Sequence, residues 1–314
     1  MSSTPAALPS SVQGFYLSRS GIRGRLVRLG PALDAIVRRH AYPEVVAELL
    51  GETLALAAAL ASSLKYEGVF TLQTRGDGPV SLMVADISSK GDMRAYAQYD
   101  EEKVKFAGVR SALLLGKGHL AFTVDSGANN SDRYQGMVEL IGRDMSACIQ
   151  TYFRQSEQIE SAVKVTAVRD AEKGWQAGAL ILQRMPEGGG YAANNNAPGG
   201  TDANEERLED WNRSKILMDT LTIDELLSPD LTSEKLLHRL FHEEGLESIE
   251  ERELRDQCRC SRQRVAMVLS TIPPTELNDL MIEGKVEVKC EFCGAAYDFD
   301  EEQLKQIEAG PGVR

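Results

Sequence analysis

The chain has no segment that reads as a membrane or export signal. Its start, Met1 to Ser10, has neither a basic region nor an apolar run, so no secretory signal is expected. No apolar stretch approaches the roughly 18 residues of a membrane-spanning helix. The longest tract, Leu54 to Leu60, is short and Ala-rich and suits a buried helix. Positive charge is also in deficit. The net charge of −12 argues against a general nucleic-acid binder and against binding to anionic membranes. Nucleotide and serine-hydrolase signatures are missing too. Leu115-Gly-Lys-Gly-His119 lacks the spacing of a phosphate-binding loop, and no Gly-x-Ser-x-Gly elbow occurs. There are no internal repeats. Cysteine is scarce, with five in 314 residues, and four of the five fall in the last fifth of the chain. Clustered cysteines in a cytoplasmic protein, the expected location here, point to a metal or redox site rather than a disulfide framework.

What is present is an ordinary globular composition, 42% hydrophobic and 26% charged. Residues 1–12 read as a flexible tail. Residues 13–186 read as one α+β domain. Two strands are expected within Gly14 to Gly30 around a turn at Ser20-Gly21, then a long Ala/Leu helix from Tyr42 to Lys65 with Pro43 in its first turn. Val69–Thr74 and Val80–Ile87 alternate like strands around the turn sequence Arg75-Gly-Asp-Gly-Pro79. Further strands are expected near 93–99, 119–124, 134–140, 163–168 and 176–183, and a helix from Met145 to Glu160.

Composition changes after Pro186. Residues 187–206 are rich in Gly and Asn and are expected to form a mobile loop. An acidic stretch follows, and 207–254 reads as a helical linker. Thr201 to Gln257 holds 17 acidic and 7 basic residues, a net −10 that accounts for most of the chain's charge. Thr222-Ile-Asp-Glu225 matches a capping box. Leu236, Leu237, Leu240 and Phe241 share one helix face ahead of Gly245. Short helices of this kind need docking to persist. Residues 255–314 form a small final domain.

That domain carries the chemistry. Cys258-Arg-Cys260 is a C-x-C, and Cys290-Glu-Phe-Cys293 is a C-x-x-C followed by Gly294. Two tight pairs can each supply one edge of a tetrahedron, and four thiolates close a zinc shell. A closed shell leaves no position for substrate, which disfavours zinc hydrolysis. A domain of about 60 residues buries too little apolar surface to be secure unaided. Structural zinc supplies about 10–16 kcal/mol in small peptides, against whole-domain stabilities of about 5–15 kcal/mol. Oxidising two ligands to a disulfide is therefore expected to release the metal and unfold this end. Arg259, Arg262, Arg264 and Lys289 lie close in sequence and are expected either to favour thiolate or to form a solvated basic face.

The pattern of C-x-C, about 30 residues, then C-x-x-C resembles the heat shock protein 33 family of redox-regulated chaperones. Cys258 to Val265, Val288 to Gly294 and Leu237 to Gly245 look like that family's zinc segments and linker helix. Gly76 to Leu82, Leu115 to Gly118, Tyr134 to Gly136 and Tyr152 to Ile159 look like its amino-terminal domain. The loop 187–204 looks like an insertion, and Glu250 to Gln257 is more charged than the family pattern. The resemblance implies helices sandwiched between sheets, a helical linker and a small zinc domain. It also implies an ATP-independent holdase, not an enzyme, that is inactive while one Zn2+ sits on Cys258, Cys260, Cys290 and Cys293. Oxidation would then form Cys258–Cys260 and Cys290–Cys293 disulfides, release zinc, loosen the linker and permit homodimerisation and binding of unfolding client proteins.

Two rival readings use the same cysteines. A thiol–disulfide oxidoreductase would place its C-x-x-C at a helix start. A zinc-ribbon nucleic-acid module is opposed by the acidic composition. His238 and His242, spaced i and i+4, read as the polar edge of a helix rather than ligands. Cys148 reads as a buried inert thiol. Trp175 and Trp211 read as structural, with Trp211 a reporter of linker docking.

Overall fold

The computed structural model describes residues 7–107, 114–125, 134–140, 144–185 and 201–308. Residues 1–6 of the expected tail (1–12) and 187–200 of the expected Gly/Asn-rich loop (187–206) lie outside them, while 201–206 of that loop are helical, the first residues of a helix that continues to Thr220. The chain divides into two compact units, one ending at Asp256 and the other beginning at Gln257.

The first unit opens with β1 (Ser11–Leu17) and β2 (Ile22–Leu29), joined by a turn in which Gly21 takes φ +67°. Strand β1 begins inside the stretch expected to be a tail, and Leu8 is already buried. Its apolar residues find partners that a one-dimensional reading does not supply. Helix α1 (Pro31–Arg38), unforeseen in the sequence, starts on Pro31 and buries Leu33, Ile36 and Val37. Helix α2 (Glu44–Ser63) follows Pro43 as expected. Then come β3 (Val69–Gly76), β4 (Val80–Ser88), β5 (Asp92–Tyr99), the short α3 (Glu101–Ala107), β6 (Gly118–Asp125) and β7 (Tyr134–Glu139).

Helix α4 (Met145–Tyr152) is capped by Asp144, which accepts from the Ala147 amide at 2.9 Å. It is shorter than the expected Met145–Glu160. A π-turn over Phe153–Glu157 and a left-handed Gln158, φ +55°, end it. Widened turns of this kind break the α repeat, and β8 (Glu160–Asp170) then pairs with β9 (Gly174–Arg184).

Two sheets enclose α2. One has the order β10-β1-β2-β9-β8 and the other β11-β5-β4-β3-β6-β7, with α2 packed against strands of both. By length and composition α2 qualifies as a membrane span, contrary to the expectation that no such segment exists. Fourteen of its 20 residues are buried. It is apolar all round because sheets cover it on two sides. Each fully buried Leu or Phe removed from water contributes about 1.5–3 kcal/mol, and α2 joins Leu and Ala residues to Phe70, Leu72, Ile87 and Ile181 in one core. Cys148 lies in that core, 2% exposed, as expected of an inert thiol.

After the undescribed loop, α5 (Thr201–Thr220), α6 (Ile223–Leu226) and α7 (Ser233–Phe241) follow. The capping box at Thr222 and Glu225 is formed, with the Thr222 amide donating to Glu225 at 2.9 Å. These helices cover the outer face of the β1-β2-β9 sheet. Trp211, Met218, Leu226, Leu237, Leu240 and Phe241 pack there on Phe15, Leu17, Ile22, Leu26, Leu180 and Leu182. Phe241 stacks on Phe15 at 5.6 Å between ring centroids.

The chain then leaves the helical pattern. Strand β10 (Leu246–Glu253) adds to the edge of one sheet beside β1, and β11 (Arg255–Asp256) runs parallel to β5 at the edge of the other. The sequence Leu-Glu-Ser-Ile-Glu-Glu-Arg-Glu gives no strand signal because almost every residue faces solvent. Charged edge strands are a normal guard against further pairing.

The second unit contains α8 (Arg262–Leu269), α9 (Pro274–Asp279), a β12 (Lys285–Lys289) and β13 (Ala296–Asp300) hairpin, and α10 (Glu301–Glu308). Its core is small. Among the described residues, Leu269, Leu277, Val286, Phe299 and Leu304 are its buried apolar side chains.

Candidate metal centre

Cys258 and Cys260 lie on the extended stretch just before α8, whose start is fixed by Ser261 accepting from the Arg264 amide at 3.2 Å. Cys290 and Cys293 lie in the turn between β12 and β13. That turn is closed by the Gly294 amide donating to Cys290 O at 2.8 Å and the Cys290 amide donating to Ala295 O at 2.9 Å. Gly294 sits at φ +73°, a conformation that costs a side-chain-bearing residue but not glycine. The hairpin thus presents two sulfurs on one tight loop, and the N-terminal stretch brings two more.

The four Sγ atoms lie within 4.8 Å of one another, a group able to hold a metal ion. Cys258 and Cys290 are 3.8 Å apart, and Cys260 and Cys293 are 3.3 Å apart. Four thiolates placed tetrahedrally at the zinc–sulfur distance of about 2.3 Å would have edges of about 3.8 Å. The donor set and spacing fit such an ion, and all four cysteines are only partly exposed.

Burial acts against the charged form of two of these thiols. Burial pushes the Cys290 thiol up, against amide donors from Cys293 and Phe292 that pull it down. Burial is also the first cause that pushes Cys293 up to about 12, with neighbouring thiols adding to it. A bound cation reverses this balance, because coordinated thiols are deprotonated.

The hydroxyl of Tyr297 donates to Cys260 Sγ at 3.1 Å. Nothing in the sequence marks Tyr297; the antiparallel pairing of Val288 with Tyr297 delivers it to the cage. Of the two expectations for the basic side chains, the exposed face fits Arg262, Arg264 and Lys289, whose positions are exposed. Arg262 turns away to Asp298 O at 2.6 Å and lies over the Phe299 ring at 4.3 Å. Arg264 donates to Arg259 O at 2.6 Å. The influences on Cys290 and Cys293 are burial, amides and neighbouring thiols, not cationic side chains. Arg262 is a packing residue of the β13 side.

The segment leading to Cys258 is fastened within the first unit. Arg28, fully buried, donates through Nε to Leu226 O at 2.9 Å, through Nη1 to Leu231 O at 2.6 Å, and through Nη2 to Ser228 O. One guanidinium thereby satisfies three carbonyls of the α6–α7 connection. Arg213 of α5 forks onto Glu244 at 2.7 and 2.9 Å, and Glu244 is 2% exposed. Farther along, the Leu254 amide donates to Ser10 O at 2.8 Å, and Arg255 pairs with Asp92 at 2.9 Å. Asp256 pairs with Arg39. Residues 246–256 therefore strap both sheets, and Cys258 follows two residues later. His238 of α7 and His242, just past its end, stack at 5.3 Å at exposed positions, as a polar edge would.

Comparison with known proteins places these features in context. The sequence model of the Hsp33 protein family matches residues 10–300. The 33 kDa chaperonin of Caulobacter vibrioides strain NA1000 is 37% identical over 303 residues, covering 93% of this chain and 95% of that protein. The 33 kDa chaperonin of Azotobacter vinelandii is 38% identical over 303 residues, covering 96% and 95%. The crystal structure of the 33 kDa chaperonin, an Hsp33 homologue, from Thermotoga maritima shares the fold. It superposes with a TM-score of 0.75 at 23% identity, covering 95% of this chain and 97% of that one.

Proposed function

This chain belongs to the Hsp33 family of chaperones, and from that premise we propose that it is a redox-regulated, ATP-independent holdase of the cytoplasm. In this reading Cys258, Cys260, Cys290 and Cys293 hold one Zn2+ in the reduced, inactive form. The observation that carries it is the sulfur cage, whose spacing suits a four-thiolate tetrahedral ion. Bound there, zinc would supply the cross-link that so small an apolar core cannot.

Activation is a two-electron oxidation of each cysteine pair. A thiolate attacks peroxide, giving a sulfenic acid and releasing hydroxide. The second thiolate attacks the sulfenic sulfur and displaces its oxygen as a second hydroxide, and a disulfide forms. The proposed pairs are Cys258–Cys260 and Cys290–Cys293, as in the family. The short contacts between Cys258 and Cys290 and between Cys260 and Cys293 are edges of the reduced cage rather than the redox pairs. Once its thiolates are consumed the cage cannot retain its ion, and residues 255–314 lose their staple.

Residues 207–254 act as the linker. Their apolar stripe is paired with the β1-β2-β9 sheet in the reduced protein. Each buried side chain there contributes about 1.5–3 kcal/mol, while ordering each residue costs about 1–2 kcal/mol. Much of the segment is exposed, so its docking is marginal and can respond to events at the switch. Undocked, it offers an apolar stripe on an acidic, soluble chain to unfolding clients, and two activated copies associate as a homodimer.

The test combines zinc content, free thiols and suppression of client aggregation on one sample, before and after peroxide at raised temperature. Loss of one zinc with four thiols and a gain of client protection without ATP is the expected result. Zinc that stays bound, or leaves with no gain in protection, would make the site a structural staple only.

A further inference from the structure

A cavity of about 510 Å³ opens at the carboxy-terminal end of α2, walled by strands of both large sheets and lying wholly within the first unit. Its volume is within the roughly 300–1,000 Å³ of small-molecule sites. The inner wall is apolar: Leu60, Phe70, Phe122, Val124 and Tyr152 line it, each no more than 7% exposed. Tyr152 meets Phe122 edge-on at 4.3 Å, so this wall is a packed aromatic surface.

The mouth is different. Arg23, Arg25 and Lys65 line it, with one acid among the described lining residues, Glu157, which accepts from the Tyr152 hydroxyl at 2.6 Å. Arg25 donates only to carbonyls, Gly24 O at 2.8 Å and Ser62 O at 3.4 Å. Among the described residues neither Arg25 nor Lys65 has a carboxylate partner. The end of α2 adds about half a negative charge. Arg25 and Lys65 together outweigh that partial charge. Burial and the neighbouring Arg23 both work against the Arg25 charge, a strain that an anion would relieve.

We propose that this cavity binds a small anionic amphiphile of the fatty-acid class, its chain on the aromatic wall and its carboxylate on Arg25 and Lys65. A neutral apolar guest would leave Arg25 and Lys65 without a carboxylate, and a cationic one would be repelled. The site is separate from the cysteine cage, so it is tested on the reduced, zinc-loaded chain.

Titration calorimetry with dodecanoate, dodecan-1-ol and dodecylammonium, each below its aggregation concentration, separates head charge from chain. One dodecanoate per chain is expected, with the alcohol and the amine at least about tenfold weaker. Lys65→Gln, at an exposed position, should weaken dodecanoate several-fold, and Arg25→Gln combined with it by about tenfold or more. Ser63→Trp, which puts an indole into the cavity lining, should abolish binding while circular dichroism stays unchanged. Binding of the alcohol as tight as that of dodecanoate, dodecanoate binding that survives a folded Ser63→Trp, or the absence of any saturable binding would each overturn the assignment.

Discussion

Replacing Phe241 with Ala tests whether the α5–α7 segment opens as a unit of its own. Phe241 is fully buried and stacks on Phe15 of β1. Deleting such a ring costs about 3–5 kcal/mol in transfer energy and residual cavity. The loss falls on the interface between the helices and the sheet, while the α2 core is untouched. If the segment detaches separately, its opening equilibrium should rise by about two to four orders of magnitude. Hydrogen exchange would show this as faster exchange of amides in α5, α6 and α7 with little change in β9. Trp211, 3% exposed on α5, offers a second reading in a Trp175→Phe background, where its emission should shift to the red. Reduced, zinc-loaded Phe241→Ala should also protect a denaturing client without oxidant. Exchange accelerated equally in the helices and in β9 would refute the idea of a separately opening segment. Undocking without any gain in client protection would refute the gating role.

Other expectations follow from individual residues. Arg28→Met leaves three carbonyls without their donor and should destabilise α6–α7 docking by about 2–4 kcal/mol, read by the same exchange experiment. Burial, then Glu48 and Asp144, pushes the Glu52 carboxyl up to about 7. The folded protein thus holds a proton there that the unfolded chain gives up at lower pH. Stability should fall as pH rises from about 4.5 through 7 and be unaffected by this group below that window. Glu52→Gln should remove that slope and exceed the parent by about 1–3 kcal/mol at pH 8, measured by urea unfolding on tryptophan fluorescence. Both tryptophans lie in the first unit, so the signal reports it alone. Gly294→Val forces a β-branched residue to φ +73° and should cost about 1–3 kcal/mol at the knuckle. Competition with a chelator would detect that as weaker zinc retention, with the parent unfolding only at higher chelator concentration.

Much of the cysteine cluster was legible in one dimension, because its four thiols come as two close pairs a few positions apart. The long helix α2, the β3–β4 hairpin and the Thr222 capping box were legible for the same reason: each is set by residues a few positions apart. Features that depend on distant partners were not. Strand β10 looks like a charged linker until β1 offers it an edge, and α2 passes for a membrane helix until two sheets are seen to cover it. Arg28 is one arginine among many until its three carbonyl partners, about 200 residues away, come into view. Tyr297 reaches Cys260 only through the hairpin register. The sequence by itself determined which atoms can bind a metal and be oxidised, since that follows from residue type and short spacing. Only the tertiary structure decided how the acidic segment is held, which cations face which cavity, and which charges lie near the sulfurs. Those depend on burial and long-range contact, quantities that a linear pattern does not carry.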